Sequence, residues 1–210
     1  MLSEGSSWRA IDRPDASWNS IYQYYRRWCR SGLWAKLLQC VQADPAGKLR
    51  FLDSSHVKVH AHGANPAGGQ LAQEMGRTKG GLNTKLHALV DNLGQPVAMV
   101  LSSGEAADVR IGPLLLSGVA GGFVVADKAY DTDSFRALID QLGTTPCIPP
   151  RSTRKVQLHY AKGTYRKRHR VENFFQKLKS YRRVATRYDK LSQTYFGFVL
   201  LASALVALAR

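Results

Sequence analysis

GFVVAD, residues Gly122–Asp127, is a run of apolar residues closed by a glycine on one side and an acid on the other. A short continuous apolar run bounded by turn signals is the pattern of a strand buried on both faces. Working outward, the segment from Ala106 to Gly118 has helical spacing and stops at glycine. On the other side, DTDSFRALIDQLG, Asp131–Gly143, reads as a capped helix closing at Gly143. TPCIP, Thr145–Pro149, then reads as a short strand blocked by Pro149 and Pro150.

Farther upstream, LRFLDSSHVKVHA, Leu49–Ala61, alternates and is rich in strand formers. A Gly-rich polar stretch from Gly63 to Gly81 follows. TKLHALVD and PVAMVLS are separated by the turn residues Asn92, Leu93, Gly94 and Gln95, so they read as a hairpin pairing with the first strand. A basic helix comes late. The order β, β, β, α, β, α, β, α is that of a ribonuclease-H-like α/β fold, a mixed sheet flanked by helices. A short helical appendage precedes it: Ser17 caps SWNSIYQYYRRWCR, Ser31 and Gly32 interrupt, and LWAKLLQCVQA continues to Asp44, Pro45 and Gly47. All four tryptophans lie in this front part, too many to be buried among themselves. The division expected is residues 1–47, a small helical piece, and 48–210, the α/β domain. Arg26, Arg27 and Arg30 would suit a helix against DNA, although ordinary helical packing is the plainer reading.

The late helix, TYRKRHRVENFFQKLKSYRRVATRYDK, Thr164–Lys190, carries Tyr165, Arg168, Glu172 and Lys179. At roughly 100° per residue these fall within a helical arc of about 60°. Val171, Phe174, Leu178 and Tyr181 cluster on a different side, which predicts one face on a core and another left for a site. From Arg151 to Lys190 fourteen Lys or Arg stand against Glu172 and Asp189, 14 − 2, a net of +12. With a net charge of +15 and pI near 10.0 for the 210 residues, a polyanion is the expected partner.

Three acids draw attention: Asp53 on the first strand, Asp127 at the end of the fourth, and Glu172 on the late helix. First and fourth strands can be neighbours in a mixed sheet, so the three carboxylates can converge. Such a group repels itself, and divalent metal relieves the repulsion. Oxygen-only donors suit Mg²⁺ or Mn²⁺, and two such ions serve in-line phosphodiester chemistry. Taken singly, each acid has a plainer reading: Glu172 a surface ion-pair partner, Asp53 a strand-end turn acid, Asp127 a cap for the following helix.

Other classes fit less well. Cys29, Cys40 and Cys147 are scattered, which supports neither a disulfide framework nor a zinc ribbon and reads as a reducing compartment. No signal peptide is evident, and the apolar segment Tyr195–Ala209 is short for a membrane span and reads as a buried helix. His56, His60 and His62 have strand-face spacing, but zinc lacks a second ligand cluster; histidines beside a DNA channel are the preferred reading. Ser54, Ser55 and His56 are no serine-hydrolase triad, and no Walker or dinucleotide loop occurs.

The segments LDSSHVKVH, MGRTKGGLNTKLHALVDNLGQP, VVADKAYDTD and YRKRHRVENFFQKLKSYRRVATRYDK resemble the DDE transposases of bacterial insertion sequences, specifically the insertion sequence five group. The likeness runs from about Trp8 to the C-terminus. Tyr165, Arg168, Glu172 and Lys179 fit that family's signature of Tyr, two residues, Arg, three residues, Glu, six residues, Lys. The resemblance implies a ribonuclease-H-like core in which Asp53, Asp127 and Glu172 are the catalytic triad and hold two Mg²⁺ (or Mn²⁺) ions. It implies DNA contacts from Tyr165, Arg168, Lys179, Lys128, Arg182 and Arg183. It also implies a partial DNA-binding region for residues 1–47 and the catalytic domain for 48–210. The implied activity is strand cleavage at element ends and strand transfer into target DNA. A nuclease that does not join, or a truncated DNA-binding regulator, are the alternatives. Double-stranded DNA, a second copy of the chain and an upstream-frame product are the implied partners, in the bacterial cytoplasm at the nucleoid. Two departures stand out. Ala129 replaces the family's usual glycine, and members usually carry some fifty more residues before the counterpart of Trp8.

Overall fold

The computed structural model describes residues 1–42 and 47–209. The expected end of the second helix at Asp44 and Pro45 lies outside the described residues. The elements are α1 (Trp18–Arg30), α2 (Leu33–Val41), β1 (Leu49–Val59), β2 (Gly76–Thr78), β3 (Gly81–Val90), β4 (Pro96–Ser103), α3 (Asp108–Leu115), β5 (Phe123–Ala126), α4 (Asp133–Gln141), β6 (Thr145–Cys147), α5 (Lys162–Tyr165), α6 (His169–Lys179), α7 (Arg182–Ala185), β7 (Thr186–Arg187) and α8 (Ser192–Leu208). Local chemistry sets several boundaries. Ser17 accepts from the Ser20 N–H at 3.1 Å to cap α1, and Thr132 accepts from the Phe135 N–H at 3.3 Å to cap α4. Gly32 turns the chain from α1 into α2 with φ +71°.

One mixed sheet organises the domain. Its path runs β2-β3-β1-β5-β6, with β4 also on β3 and β7 also on β1. β3 is antiparallel to both β1 and β4, whereas β5 is parallel to β1 and β6 parallel to β5. This is the ribonuclease-H-like order anticipated from the pattern around Gly122–Asp127. Helices cover both faces. Phe51, Val57, Leu86, Val125 and Cys147 pack with Val171, Phe174 and Leu178 of α6 and Tyr195 and Val199 of α8. Leu52, Leu89, Val124 and Ala126 pack on the opposite face with Leu115, Phe135 and Ile139 of α3 and α4. Each fully buried Val, Leu, Ile or Phe among them contributes about 1.5–3 kcal/mol.

The structure departs from the sequence reading in three places. The Gly-rich stretch is not purely loop, because β2 and β3 form a hairpin at Thr78–Gly81 and Leu71–Gln73 makes a 3-10 turn. The late helix is interrupted: Arg166–Arg168 is a 3-10 turn between α5 and α6, and Tyr181 is extended. The reason for the second break lies outside the helix. The Arg182 and Arg183 N–H groups bond to Ser3 and Leu2 carbonyls, and β7 pairs with Lys58 and Val59 of β1. Those partners take the place of helical hydrogen bonds at the break. Last, β1 ends at Val59, so His60 and His62 belong to a turn at Ala61–Gly63 and not to a strand face.

The front helices lie on α8. Tyr25 donates to the Thr194 carbonyl at 2.8 Å and stacks on Phe198, and Trp8 meets both rings. Gly197 permits this approach, since a Cβ there would stand 2.5 Å from Cys29 Sγ. Among the described residues no helix is long and apolar enough to cross a membrane.

Candidate active site

Register brings the first two acids together. β1 and β5 are parallel with Leu52 opposite Ala126, so Asp53 and Asp127 are the next residues on neighbouring strands. Phe51 and Val125, two residues earlier in each strand, face α6 and α8, and alternation puts both acids on that face. The edge of β1 toward β5 is paired only through Leu49–Leu52, and toward β7 only at Lys58 and Val59. Between them residues 53–57 face an opening in the sheet, and α6 lies across it.

Four apolar residues of α6, Val171, Phe174, Phe175 and Leu178, are buried and fix its orientation. The side next to it also reaches β1. Arg168 Nη1 donates to Asp53 Oδ2 at 2.7 Å, and its Nη2 donates to Glu172 Oε1. Lys179 Nζ donates to the His56 carbonyl at 3.0 Å. Tyr165 packs at the edge of the core, its ring 5.5 Å from Tyr160. Burial raises its pKa, with Asp127 adding to the effect and Arg168 opposing it. The signature residues therefore share a face, as expected. Glu172 and Lys179 on that face are exposed, and Arg168 ties Glu172 to Asp53.

Burial also raises the pKa of Asp53, and Asp127 pushes the same way. The Ser54 N–H on Oδ1 at 2.8 Å and Arg168 oppose it. Asp127 accepts from the Ala129 N–H at 2.8 Å, capping the turn Lys128–Tyr130. The plain capping reading of Asp127 is thus met alongside its place beside Asp53. Ala129, the departure from the family glycine, supplies that N–H without strain, since positive φ among the described non-glycine residues is confined to Glu74.

A second acid in this turn went unnoticed in the sequence. Asp131 is 4% exposed and accepts from Arg136 Nε at 2.8 Å, the Arg151 N–H at 2.7 Å and Arg154 Nε at 3.1 Å. Burial alone would raise its pKa, but these donors hold it at about 2. Arg151 also donates to the Lys128 and Ala129 carbonyls, at 2.9 and 2.7 Å. The Asp131 cluster therefore ties the basic loop after β6 to the turn carrying Asp127. The signal was an acid four residues after Asp127 upstream of a dense arginine run, but its partners are 5 to 23 residues away.

Behind the acids, on the α3 face, Asp108 accepts from Ser54 Oγ at 2.9 Å and Lys85 Nζ at 3.0 Å. Buried His87 shares a hydrogen bond with Ser102 Oγ at 2.8 Å, and burial drives its pKa down to about 4, so the ring is neutral. Tyr130 is fully buried, and its hydroxyl has no hydrogen-bond partner among the described residues.

The remaining sequence candidates separate. Lys128 is exposed beside Asp127, and Arg182 is exposed with its Nε 3.4 Å from the Tyr188 hydroxyl. Arg183 needs correction as a DNA contact. It is 3% exposed, its guanidinium lies over the rings of Trp8, Tyr188 and Phe198, and it pairs with Asp189 at 3.5 Å. Aromatic faces and a buried carboxylate hold that charge in the core. His60 and His62 meet edge to face, with centroids 4.6 Å apart.

The model of the family described as transposase DDE domain matches residues 44–207. The chain belongs to that family. Its enzymes cleave DNA and transfer strands, and they generally use divalent metal ions. A putative transposase for insertion sequence element IS6501 of Brucella ovis is 42% identical over 127 residues, which cover 60% of this DDE transposase chain and 98% of that protein. Two solved structures are also similar. The Mos1 transposase paired-end complex with left transposon end shares 11% identity over 83% of this chain and 66% of its own, with a TM-score of 0.32. A pre-cleavage Mos1 transpososome shares 10% over 98% and 67%, also at 0.32. The DDE chain thus spans about two thirds of the length of those two chains.

Among the described residues no group of three His, Cys, Asp or Glu side chains is close enough to hold a metal ion. The donor chemistry nonetheless fits one. Asp53 and Asp127 are adjacent oxygen donors, and the cation balancing Asp53 and Glu172 is the Arg168 guanidinium.

Proposed function

We propose that this chain is a transposase of the insertion sequence five group that cuts DNA at element ends and transfers the 3′ ends into target DNA. The observation that carries the reading is the neighbouring pair Asp53 and Asp127, joined through Arg168 to Glu172 on a face that meets an opening in the sheet. In this reading Asp53, Asp127 and Glu172 are the catalytic acids and hold two Mg²⁺ or Mn²⁺ ions. Two such ions held by these acids would supply activation of the attacking water or 3′ hydroxyl and charge stabilisation of the leaving oxygen. The protein's own residues position the DNA. Arg168 is the guanidinium placed to take a phosphate oxygen beside the acids, and Lys179 does so farther along β1. Tyr165 borders the same opening, and Lys128 and Arg182 supply outer phosphate contacts.

The partners are double-stranded element-end and target DNA and a second copy of the chain on that DNA. The setting is the bacterial cytoplasm at the nucleoid. Residues 1–47 act as part of a DNA-binding region, and 48–210 as the catalytic domain.

The test is cleavage and joining of labelled element-end DNA with Mg²⁺ or Mn²⁺, comparing the chain with Asp53→Asn, Asp127→Asn and Glu172→Gln. Metal-dependent joining lost in all three variants is the expected result. Cutting without joining would make it a nuclease, and DNA binding with no cutting a regulator.

A further inference from the structure

Asp53 makes two hydrogen bonds among the described residues. Oδ2 accepts from Arg168, and Oδ1 accepts from the N–H of its own neighbour Ser54 at 2.8 Å. A cation or phosphate that draws the guanidinium away leaves the carboxylate held by β1. That strand is braced on one edge here, because residues 53–57 pair with β3 and have no strand on the other side. Antiparallel pairing sends the peptides of alternate residues to opposite edges, so Ser54 shares its edge with His56, whose carbonyl accepts from Lys179. The N–H that holds Asp53 therefore belongs to a peptide that no neighbouring strand fixes.

A brace comes from the other face of the sheet. Alternation turns the Ser54 side chain away from the Asp53 face, toward α3. Its Oγ donates to Oδ1 of Asp108, the first residue of α3, at 2.9 Å. Lys85, on β3 opposite His56 and 7% exposed, donates to the same oxygen at 3.0 Å and to the Ala106 carbonyl at 2.7 Å. A buried ammonium thus fixes Asp108, and Asp108 fixes the Ser54 hydroxyl. The same helix backs the second acid. Gly112 of α3 lies against Tyr130 in the turn after Asp127, where a Cβ would stand 3.3 Å from the ring.

We propose that Ser54 and Asp108 are positioning residues: the chain Lys85–Asp108–Ser54 anchors the β1 peptide whose N–H orients the Asp53 carboxylate beside Asp127. The proposal rests on the transposase reading, in which those two acids hold metal, and adds to it a support from the opposite face of the sheet.

The experiment measures Mn²⁺ binding to the whole chain, by electron paramagnetic resonance of the free ion, in wild type, Asp53→Asn, Ser54→Ala, Ser54→Thr and Ser102→Ala. Melting temperatures establish that each is folded at the assay temperature. Hydrogen-bond partners behind a metal ligand typically contribute roughly 10–100-fold in metal affinity, and Ser54→Ala keeps the N–H while losing its anchor, so binding about tenfold weaker is expected. Ser54→Thr keeps a hydroxyl and restores most of that loss. Ser102→Ala breaks the 2.8 Å bond to His87 in the same polar layer, which lowers the melting temperature and leaves Mn²⁺ affinity unchanged. Lys85→Met/Asp108→Ala, which leaves no unpaired ammonium buried, weakens binding about as much as Ser54→Ala, and adding Ser54→Ala to it weakens binding no further.

Losses that multiply in that combination refute the chain through Ser54. Ser54→Ala that binds like wild type, Ser54→Thr no better than alanine, or an equal loss in Ser102→Ala overturns the proposal. In each of these cases Asp53→Asn still loses the metal, and the transposase reading stands. Mn²⁺ binding that Asp53→Asn leaves untouched, or none by wild type, removes the metal-holding role of Asp53 and this proposal with it.

Discussion

Arg168→Ala removes the one guanidinium that bonds to both Asp53 and Glu172, so its cost can be worked from the two ion pairs. The Arg168–Asp53 distance is 2.7 Å, with side chains 21% and 19% exposed, so it counts as a largely covered charged hydrogen bond worth about 1.5–3 kcal/mol. Glu172 is 46% exposed and sits four residues along the chain, where solvent screening leaves about 0.3–0.5 kcal/mol. The sum is a loss of about 2–3.5 kcal/mol at pH 7 in a chelator. A chain of this size then melts about 4–14 °C lower. Arg168→Lys keeps the charge but reaches one carboxylate, so it loses about half as much. The pH dependence has a definite sign. The Asp53 pKa is already raised by burial with Arg168 present, and removing Arg168 raises it further. The variant's deficit is therefore full at neutral pH and shrinks as pH falls through the folded pKa of Asp53. Denaturant melts at pH 7 and pH 4 measure it. A deficit under about 0.5 kcal/mol, or one that does not change with pH, would refute the view that Arg168 balances the acids.

Three further outcomes rest on particular side chains. Tyr130→Phe raises stability by about 1 kcal/mol, because the hydroxyl is buried without a hydrogen-bond partner among the described residues; a measured loss means a bound group satisfies it. Asp131→Asn costs about 3–5 kcal/mol near pH 6, since three donors are deprived of a buried anion. Folding lowers the Asp131 pKa to about 2, so its contribution is full above about 4 and is lost as pH falls through 2; the gap between variant and wild type seen in melts at pH 6 should narrow in melts at pH 2. Gly197→Ala sets a Cβ 2.5 Å from Cys29 Sγ and 2.8 Å from the Tyr25 hydroxyl. Overpacking of about 1–3 kcal/mol exceeds the helix-propensity gain of up to about 1, so the melting temperature falls, with a change in tryptophan emission as Trp34 shifts. A rise in melting temperature would mean the front helices do not rest on α8.

Much of the architecture was legible along the chain, for local reasons. Alternation in Leu49–Val59 and the apolar run Phe123–Ala126 mark their strands whatever surrounds them. The cap at Thr132 and the glycines at 94 and 143 mark where elements stop. Helical spacing also put Tyr165, Arg168, Glu172 and Lys179 on one side, and that survives a 3-10 turn because both helix types wind the same way. Arg183 and Arg182 show the limit. They are adjacent arginines in one basic run, yet one is buried among aromatic rings and the other is exposed. That difference comes from the N-terminal segment bonding at Leu2 and Ser3, some 180 residues away in sequence.

By itself, then, the sequence determined the element order, the acid within the first strand and the one closing the fourth, the helical face bearing Glu172 and the basic character of the partner surface. Those follow from periodicity, turn chemistry and charge, which act over a few residues. Only the tertiary structure decided that Asp53 and Asp127 are adjacent, that Arg168 neutralises two acids at once, that Asp131 clamps the turn, and that β1 has an open edge between β5 and β7. These depend on strand register and on packing between distant segments, where a shift of one residue would turn Asp53 to the other face of the sheet.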